Sequence, residues 1–235
     1  MRKQVGAMEK LIQLAQKIKG EKLRKMVVEF LKNPTLSNET FKKYPREKIE
    51  KAGAIFSTSA SGVAVERDVL NHTIALVELC DRATDVFEKA YGLPLNRDNL
   101  IAAAILHDIA KMFEWKRGKH GLEHTGVLLD HTMLGTAELY SRGFPEEVVH
   151  IIAAHFGEHG PTPPRSFEAL IMHHIDNMLS LVESRMLSPA SVDDAMQLLI
   201  LDDANFSKFQ DAIKGEFEKA GDATGAGKKG KTKLG

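Results

Sequence analysis

Residues 101–110 form an apolar run broken by two polar residues, His107 and Asp108, with Lys111 just beyond. A run of that character has to be buried. Imidazoles and carboxylates are seldom buried unless hydrogen bonds or a metal replace their lost hydration. The pair alone is a weak signal, because a His-Asp dipeptide arises often by chance. Its weight comes from residues elsewhere in the chain. All ten histidines fall between His72 and His174, and several stand inside apolar segments of helical length. His72 lies among Val69, Leu70, Ile74 and Leu76; His131 among Val127, Leu128, Leu129, Met133 and Leu134. His155 ends the run Ile151, Ile152, Ala153, Ala154, and Asp176 sits among Ile171, Met172, Ile175, Met178 and Leu179. Five buried helices, each bringing ligand-type side chains to one point, make a metal cage in the core of a bundle.

The succession His72, His107-Asp108, His131, His155 and Asp176 resembles the HD-domain superfamily of metal-dependent phosphohydrolases, with the spacing of its two-metal branch, over about residues 65–185. The stretches Ile105-Leu106-His107-Asp108-Ile109-Ala110-Lys111-Met112 and Ile175-Asp176-Asn177-Met178 are most similar to two groups within it. One is the HD module of bacterial 3′–5′ exoribonucleases; the other is the archaeal cyclic phosphodiesterases, among them those acting on dihydroneopterin cyclic phosphate. The resemblance implies an all-α HD-domain helical bundle. It assigns His72, His107, Asp108 and Asp176 to a first metal, with Asp108 bridging to a second held by His131 and His155. Two such ions stand about 3.5–4 Å apart and acidify a water between them, which attacks phosphorus in line. Imidazole and carboxylate donors suit iron or manganese, with zinc and nickel also compatible, and the absence of thiolate ligands argues against a structural zinc site. Two departures stand out. Many two-metal relatives have His-His where this chain has His155-Phe156, and a Gly-Gly-Leu-Leu-x-His-Thr approach where it has Arg67-Asp68-Val69-Leu70-Asn71-His72-Thr73.

Lys111 stands four residues after His107 and three after Asp108, on the same helical face, and is the expected phosphate contact. With Asp108 it forms the expected catalytic pair. His124, in the stretch 116–126 expected to be a polar loop, and His159, four residues after His155, are expected on the substrate side, with His120 a weaker candidate. His173 shares a face with Asp176 and is expected to hydrogen-bond to it. Phe113 and Trp115 suit either core packing or the stacking of a heterocycle.

Net charge is zero, so no global field recruits nucleic acid or an anionic membrane. That favours a small phosphodiester substrate, such as a 2′,3′-cyclic phosphate, over a polymer. Phosphomonoesterase or nucleotidase chemistry, an exoribonuclease-like activity, a di-iron oxygenase and a non-catalytic regulatory module are the competing readings. The complete ligand set argues against the last. Cys80, the single cysteine, lies in an apolar run and reads as an inert core thiol of a cytoplasmic protein. No apolar stretch approaches the length of a membrane span. Oligomeric state leaves no mark in the sequence.

The expected organisation is an N-terminal helical segment and loop over 1–62, the hydrolase domain over 63–213, and a disordered Gly/Lys-rich tail over 214–235. Apolar residues at Met8, Leu11, Ile12, Ala15 and Ile18, then Leu23, Met26, Val27, Phe30 and Leu31, give the N-terminal segment amphipathic helical spacing. Further helices are expected at about 65–91, 97–112, 127–142, 145–157, 166–185 and 191–213, with strands nearly absent. The loop at residues 57–62 is a candidate wall of the substrate pocket.

Overall fold

A computed structural model of the 235-residue chain describes residues 7–57 and 64–187. The helix expected over 191–213, the tail and nearly all of the 57–62 loop lie outside the described residues. The N-terminal amphipathic segment is two helices, α1 (Ala7–Ala15) and α2 (Glu21–Lys32), separated near Gly20. Their apolar faces, including Leu11, Val27 and Leu31, and Ile18 in the connection between them enter the same core as the helices that follow.

Next come a short antiparallel hairpin of β1 (Gly53–Ser57) and β2 (Ala64–Asp68), then the long helix α3 (Val69–Tyr91). The Asp68 carboxylate caps α3 by accepting from the Asn71 amide at 2.7 Å, and Gly92, at φ 63°, ends it in the left-handed conformation that glycine adopts most readily. Asn96 caps α4 (Arg97–Leu106) in the same way as Asp68 caps α3. From Asn99 to Leu106 every residue of α4 is buried, which is why its sequence is apolar all round rather than on one face. It is the central helix, packed against α3 and against α7 (Glu146–Ala153), α8 (Phe167–Leu187), α1 and α2.

Several expectations need correcting: the helices anticipated over 127–142 and 145–157 run only over His131–Ser141 and Glu146–Ala153, with turns after Ala153. The helix anticipated over 97–112 stops at Leu106; residues 107–110 form tight turns, and the chain resumes as the single turn α5 (Lys111–Glu114). The polar stretch after it, expected to be a loop, is a second hairpin of β3 (Trp115–Gly118) and β4 (Gly121–His124), pairing Trp115 with His124. Strands this short carry too few alternating positions to register as a pattern. The bundle is completed by α6 (His131–Ser141), whose cap Asp130 accepts from the Met133 amide at 2.8 Å, so that His131 is its first residue. Among the described residues no helix is long and apolar enough to cross a membrane.

Ile101 is fully buried in α4 and Tyr140 is 77% exposed on α6. Replacing Ile101 with alanine is expected to cost about 2–5 kcal/mol in denaturant unfolding. Tyr140→Ala should stay within about 0.5 kcal/mol of the unmodified protein. Equal effects of the two substitutions would contradict a core centred on α4.

Candidate metal centre

Every predicted ligand is buried; the four imidazoles gather around Asp108, and Asp176 stands against His72. The Asp108 carboxylate sits in the turn that follows α4, with Oδ2 3.4 Å from His107 Nε2 and 4.0 Å from His72 Nε2, and Oδ1 3.4 Å from His131 Nε2. His72 Nε2 is 2.9 Å from Asp176 Oδ1, across from α8. Two groups of ligand atoms lie within 4.8 Å of one another: His72, His107 and Asp108 form one; Asp108, His131 and His155 the other. Donors about 2.1 Å from a shared ion are about 3.0 Å apart at right angles and about 4.2 Å apart across it, which spans the distances found here.

Hydrogen bonding separates a metal cage from an ordinary polar core. His72 Nε2, His107 Nε2, His131 Nε2, Asp108 Oδ1 and Asp176 Oδ1 are all buried without a hydrogen-bond partner. Even His72 and Asp176, 2.9 Å apart, are not in hydrogen-bond geometry. Each such orphan costs about 1–3 kcal/mol. Divalent cations placed among them would satisfy the whole set.

The outward-facing nitrogens fix the tautomers. His107 Nδ1 lies 3.0 Å from the Ala104 carbonyl and His155 Nδ1 2.7 Å from the Ile152 carbonyl. His72 Nδ1 meets the Glu183 carboxylate at 3.1 and 3.2 Å, and His131 Nδ1 meets Glu114 Oε2 at 2.9 Å. Carbonyls and carboxylates only accept, so each Nδ1 carries a proton; the Nε2 atoms of His72, His107 and His131 are left without a partner, and His155 Nε2 meets the Thr132 hydroxyl at 3.4 Å. The tight turns after α4 and α7 serve this purpose: they bring the side chains of His107 and His155 back onto carbonyls three residues earlier.

Charge is balanced around one oxygen. Asp108 Oδ2 accepts from Lys111 Nζ at 2.8 Å and from Arg67 Nη2 at 2.9 Å. Burial alone would raise the Asp108 pKa, but His107, Lys111 and Arg67 outweigh it and hold the carboxylate well below its usual range. Asp176 is held low in the same way, against burial, by the imidazoles around it. Lys111 is 6% exposed, so it does not reach back to solvent, and burial lowers its pKa despite Asp108. Arg67 has its pKa raised: Asp108, Asp176 and Glu183 overcome the effect of burial. Burial lowers His131, aided by Lys111, and takes His155 to about 3. In His72 the carboxylates of Asp176 and Glu183 overcome burial and raise the pKa.

The substrate-side candidates are more dispersed. His124 lies on β4, its side chain 42% exposed, with Nε2 3.9 Å from Glu114 Oε1. His120 is exposed, and the side chain of His159 lies outside the described residues. His173 meets the His155 carbonyl at 2.7 Å instead of Asp176. Its ring covers Gly157, where a Cβ would lie 2.3 Å from Nε2 and where φ is 66°, so glycine is required on both counts. Phe113 is buried in the core and Trp115 is partly buried, packed edge-on against His124. Cys80 is fully buried and burial raises its thiol pKa, as expected of an inert core residue.

Sequence reasoning missed Arg67, Glu114 and Glu183. A signal existed for two of them. Arg67 occupies an inward position of β2, whose burial alternates strictly, and Glu183 falls two turns after Asp176 on one face of α8. Glu114 lies at the junction of α5 and β3, where no periodicity could have indicated its direction.

A helical bundle that gathers four buried imidazoles around one buried carboxylate, with a buried lysine on that carboxylate, has the form of a metal-dependent phosphohydrolase. The family model of the HD domain matches residues 69–181. The chain is 42% identical over 175 residues to the dihydroneopterin 2′,3′-cyclic phosphate phosphodiesterase of Methanocaldococcus jannaschii, covering 72% of this chain and 67% of that protein. It is also 31% identical over 166 residues to the 3′-5′ exoribonuclease YhaM of Bacillus licheniformis, covering 63% of this chain and 49% of the relative, so it spans about half of that protein. The chain belongs to the HD domain family of metal-dependent phosphohydrolases. No solved structure gives a significant match.

Two measurements test the centre. Metal analysis of Asp108→Ala beside the unmodified protein should show loss of bound metal; equal contents would place the metal elsewhere. The second concerns the metal-free protein, in which His131 and His155 stay neutral at pH values where the unfolded chain protonates its histidines. Stability should therefore be complete above about pH 6.5 and fall as the pH drops towards 3, with Asp108 and Asp176 adding to the loss below about pH 4. His72, with its raised pKa, opposes this by favouring the folded state below about pH 6.5, but one such ring is outweighed by two. A melting temperature that stays level from pH 7 to 4 would contradict the neutral imidazoles.

Proposed function

We propose that this protein hydrolyses a small phosphodiester, of the 2′,3′-cyclic phosphate class, using two divalent transition-metal ions, iron or manganese. The observation that carries the reading is the set of unpartnered ligand atoms around Asp108, with Lys111 on the same carboxylate. The substrate class follows from the similarity to the Methanocaldococcus jannaschii enzyme, whose name specifies a 2′,3′-cyclic phosphate, and from the zero net charge, which offers no field for a polyanion.

His72, His107, Asp108 and Asp176 would hold one ion, and Asp108, His131 and His155 the other. Bound there, the ions supply Lewis-acid polarisation of the phosphoryl oxygens and acidify water. The chain's own residues supply the rest. Asp108 turns one oxygen to each group of imidazoles. Lys111 keeps a cation beside that carboxylate, where negative charge accumulates on a phosphoryl group under attack. Opening a cyclic phosphate frees a hydroxyl that needs a proton, and His124, exposed on β4, stands on the solvent side as the candidate donor, with His159 as a second substrate contact.

Metal-reconstituted protein should open 2′,3′-cyclic phosphates and cleave bis-p-nitrophenyl phosphate, with little action on phosphomonoesters or oligoribonucleotides. Absence of metal-dependent turnover on every phosphoester would overturn the proposal, and preferential release of inorganic phosphate would replace it with a phosphomonoesterase. Lys111→Met should keep its metal and lose about 10²–10³-fold in kcat/KM, the usual effect of removing one preorganised charge contact.

A further inference from the structure

Four histidines face the centre, and they are oriented in two different ways. His107 and His155 are fixed by carbonyls of their own turns, Ala104 and Ile152. His72 and His131 are fixed by carboxylates from elsewhere in the chain, Glu183 on α8 and Glu114 on α5. Each group of ligand atoms contains one histidine of each kind: His72 with His107, His131 with His155.

We infer that Glu183 and Glu114 are positioning residues, each serving one metal position: Glu183 sets His72 for the first, and Glu114 sets His131 for the second. This rests on the two-metal reading proposed above. Glu183 is well placed for the task. It comes from the same helix as Asp176, so α8 holds the His72 ring from both sides, with Asp176 at Nε2 and Glu183 at Nδ1. Arg67 ties this arrangement to the bridging residue: Nη1 donates to Ser180 Oγ at 2.9 Å and to Glu183 Oε2 at 3.3 Å, while Nη2 donates to Asp108. Phe56 packs its ring 4.7 Å from the guanidinium carbon. Arg67 Nη1 also lies 3.2 Å from His72 Nδ1, but both atoms carry protons once Nδ1 donates to Glu183, so this is a contact and not a bond. Both terminal nitrogens of Arg67 are thus occupied, which makes it a strap between Glu183 and Asp108.

Glu114 works differently. One oxygen accepts from His131, the other faces exposed His124 at 3.9 Å, and the side chain is 14% exposed. Losing either carboxylate frees an Nδ1 proton, lets the ring rotate and admits the other tautomer, in which Nε2 carries a hydrogen and cannot bind metal. His107 and His155 are untouched by either change, because their anchors are backbone.

The test is a Mn(II) titration of metal-free protein, unmodified and as Glu183→Ala, Glu114→Ala and the corresponding glutamine variants. Bound ion is counted by equilibrium dialysis, and pairing of the two ions is followed by the spin-coupled electron paramagnetic resonance signal. The unmodified protein should bind two ions. Each alanine variant should bind one ion as before and the other about 10–100-fold more weakly, with loss of the coupled signal. The glutamine variants, which keep an accepting oxygen, should fall between. An alanine variant that does not fold is replaced by its glutamine counterpart, for which weakened binding of one ion remains the expected result. Two ions bound with unchanged affinity in both alanine variants would overturn the inference and leave the two-metal reading intact, whatever happens to the melting temperature. Fewer than two ions in the unmodified protein would overturn the reading itself, and the inference with it.

Discussion

A buried carboxylate with nowhere to send its charge governs this structure. Asp108 is 1% exposed, and an isolated anion at such a depth would be protonated or would unfold the protein around it. It persists as an anion because Lys111, Arg67 and three imidazoles are arranged about its two oxygens. Each neighbour in turn requires an element to hold it. α4 must be apolar on every side to reach the centre of the bundle, β2 must deliver Arg67 inward immediately before α3 begins, and α8 must pass close enough to present both Asp176 and Glu183. Networks of this kind contribute little stability beyond what an apolar core would give, and removing one member leaves the others exposed to the full cost of burial. Here the network fixes the positions of the groups around Asp108.

The six candidate ligands stand out in the sequence because each is a polar interruption in an apolar segment, and all six are buried. The bundle was legible for the same reason: apolar periodicity marks long helices such as α3 and α8 reliably. What periodicity could not convey was local. The turns after Leu106 and Ala153 look like continuing helix, because His107 and His155 would be buried either way; only the hydrogen bonds from Nδ1 to the carbonyls three residues back distinguish them. The two hairpins were hidden by brevity. Arg67, Glu114 and Glu183 were missed because a charged residue in a sequence reads as solvent-facing by default, and nothing along the chain indicates that an imidazole 17 or 111 positions away needs an acceptor, or a carboxylate 41 positions away a donor.

The departures from the family pattern find physical counterparts. Ahead of His72 this chain places Arg67 and Asp68. Asp68 caps α3, and Arg67 joins the centre as the tie between Glu183 and Asp108. After His155, Phe156 packs its ring 4.5 Å from that of His155 and edge-on against His131. An aromatic side chain there adds rigidity to two ligands without adding a donor.

The contrast between backbone and side-chain anchors bears on how such an enzyme can change over evolutionary time. The carbonyls behind His107 and His155 belong to the turns themselves, so no substitution deletes them without rebuilding the backbone. Glu183 and Glu114 can each be exchanged by a single mutation that leaves all six ligands in place. Two of the four imidazoles are therefore oriented by the backbone itself, while the orientation of the other two depends on side chains that one substitution removes.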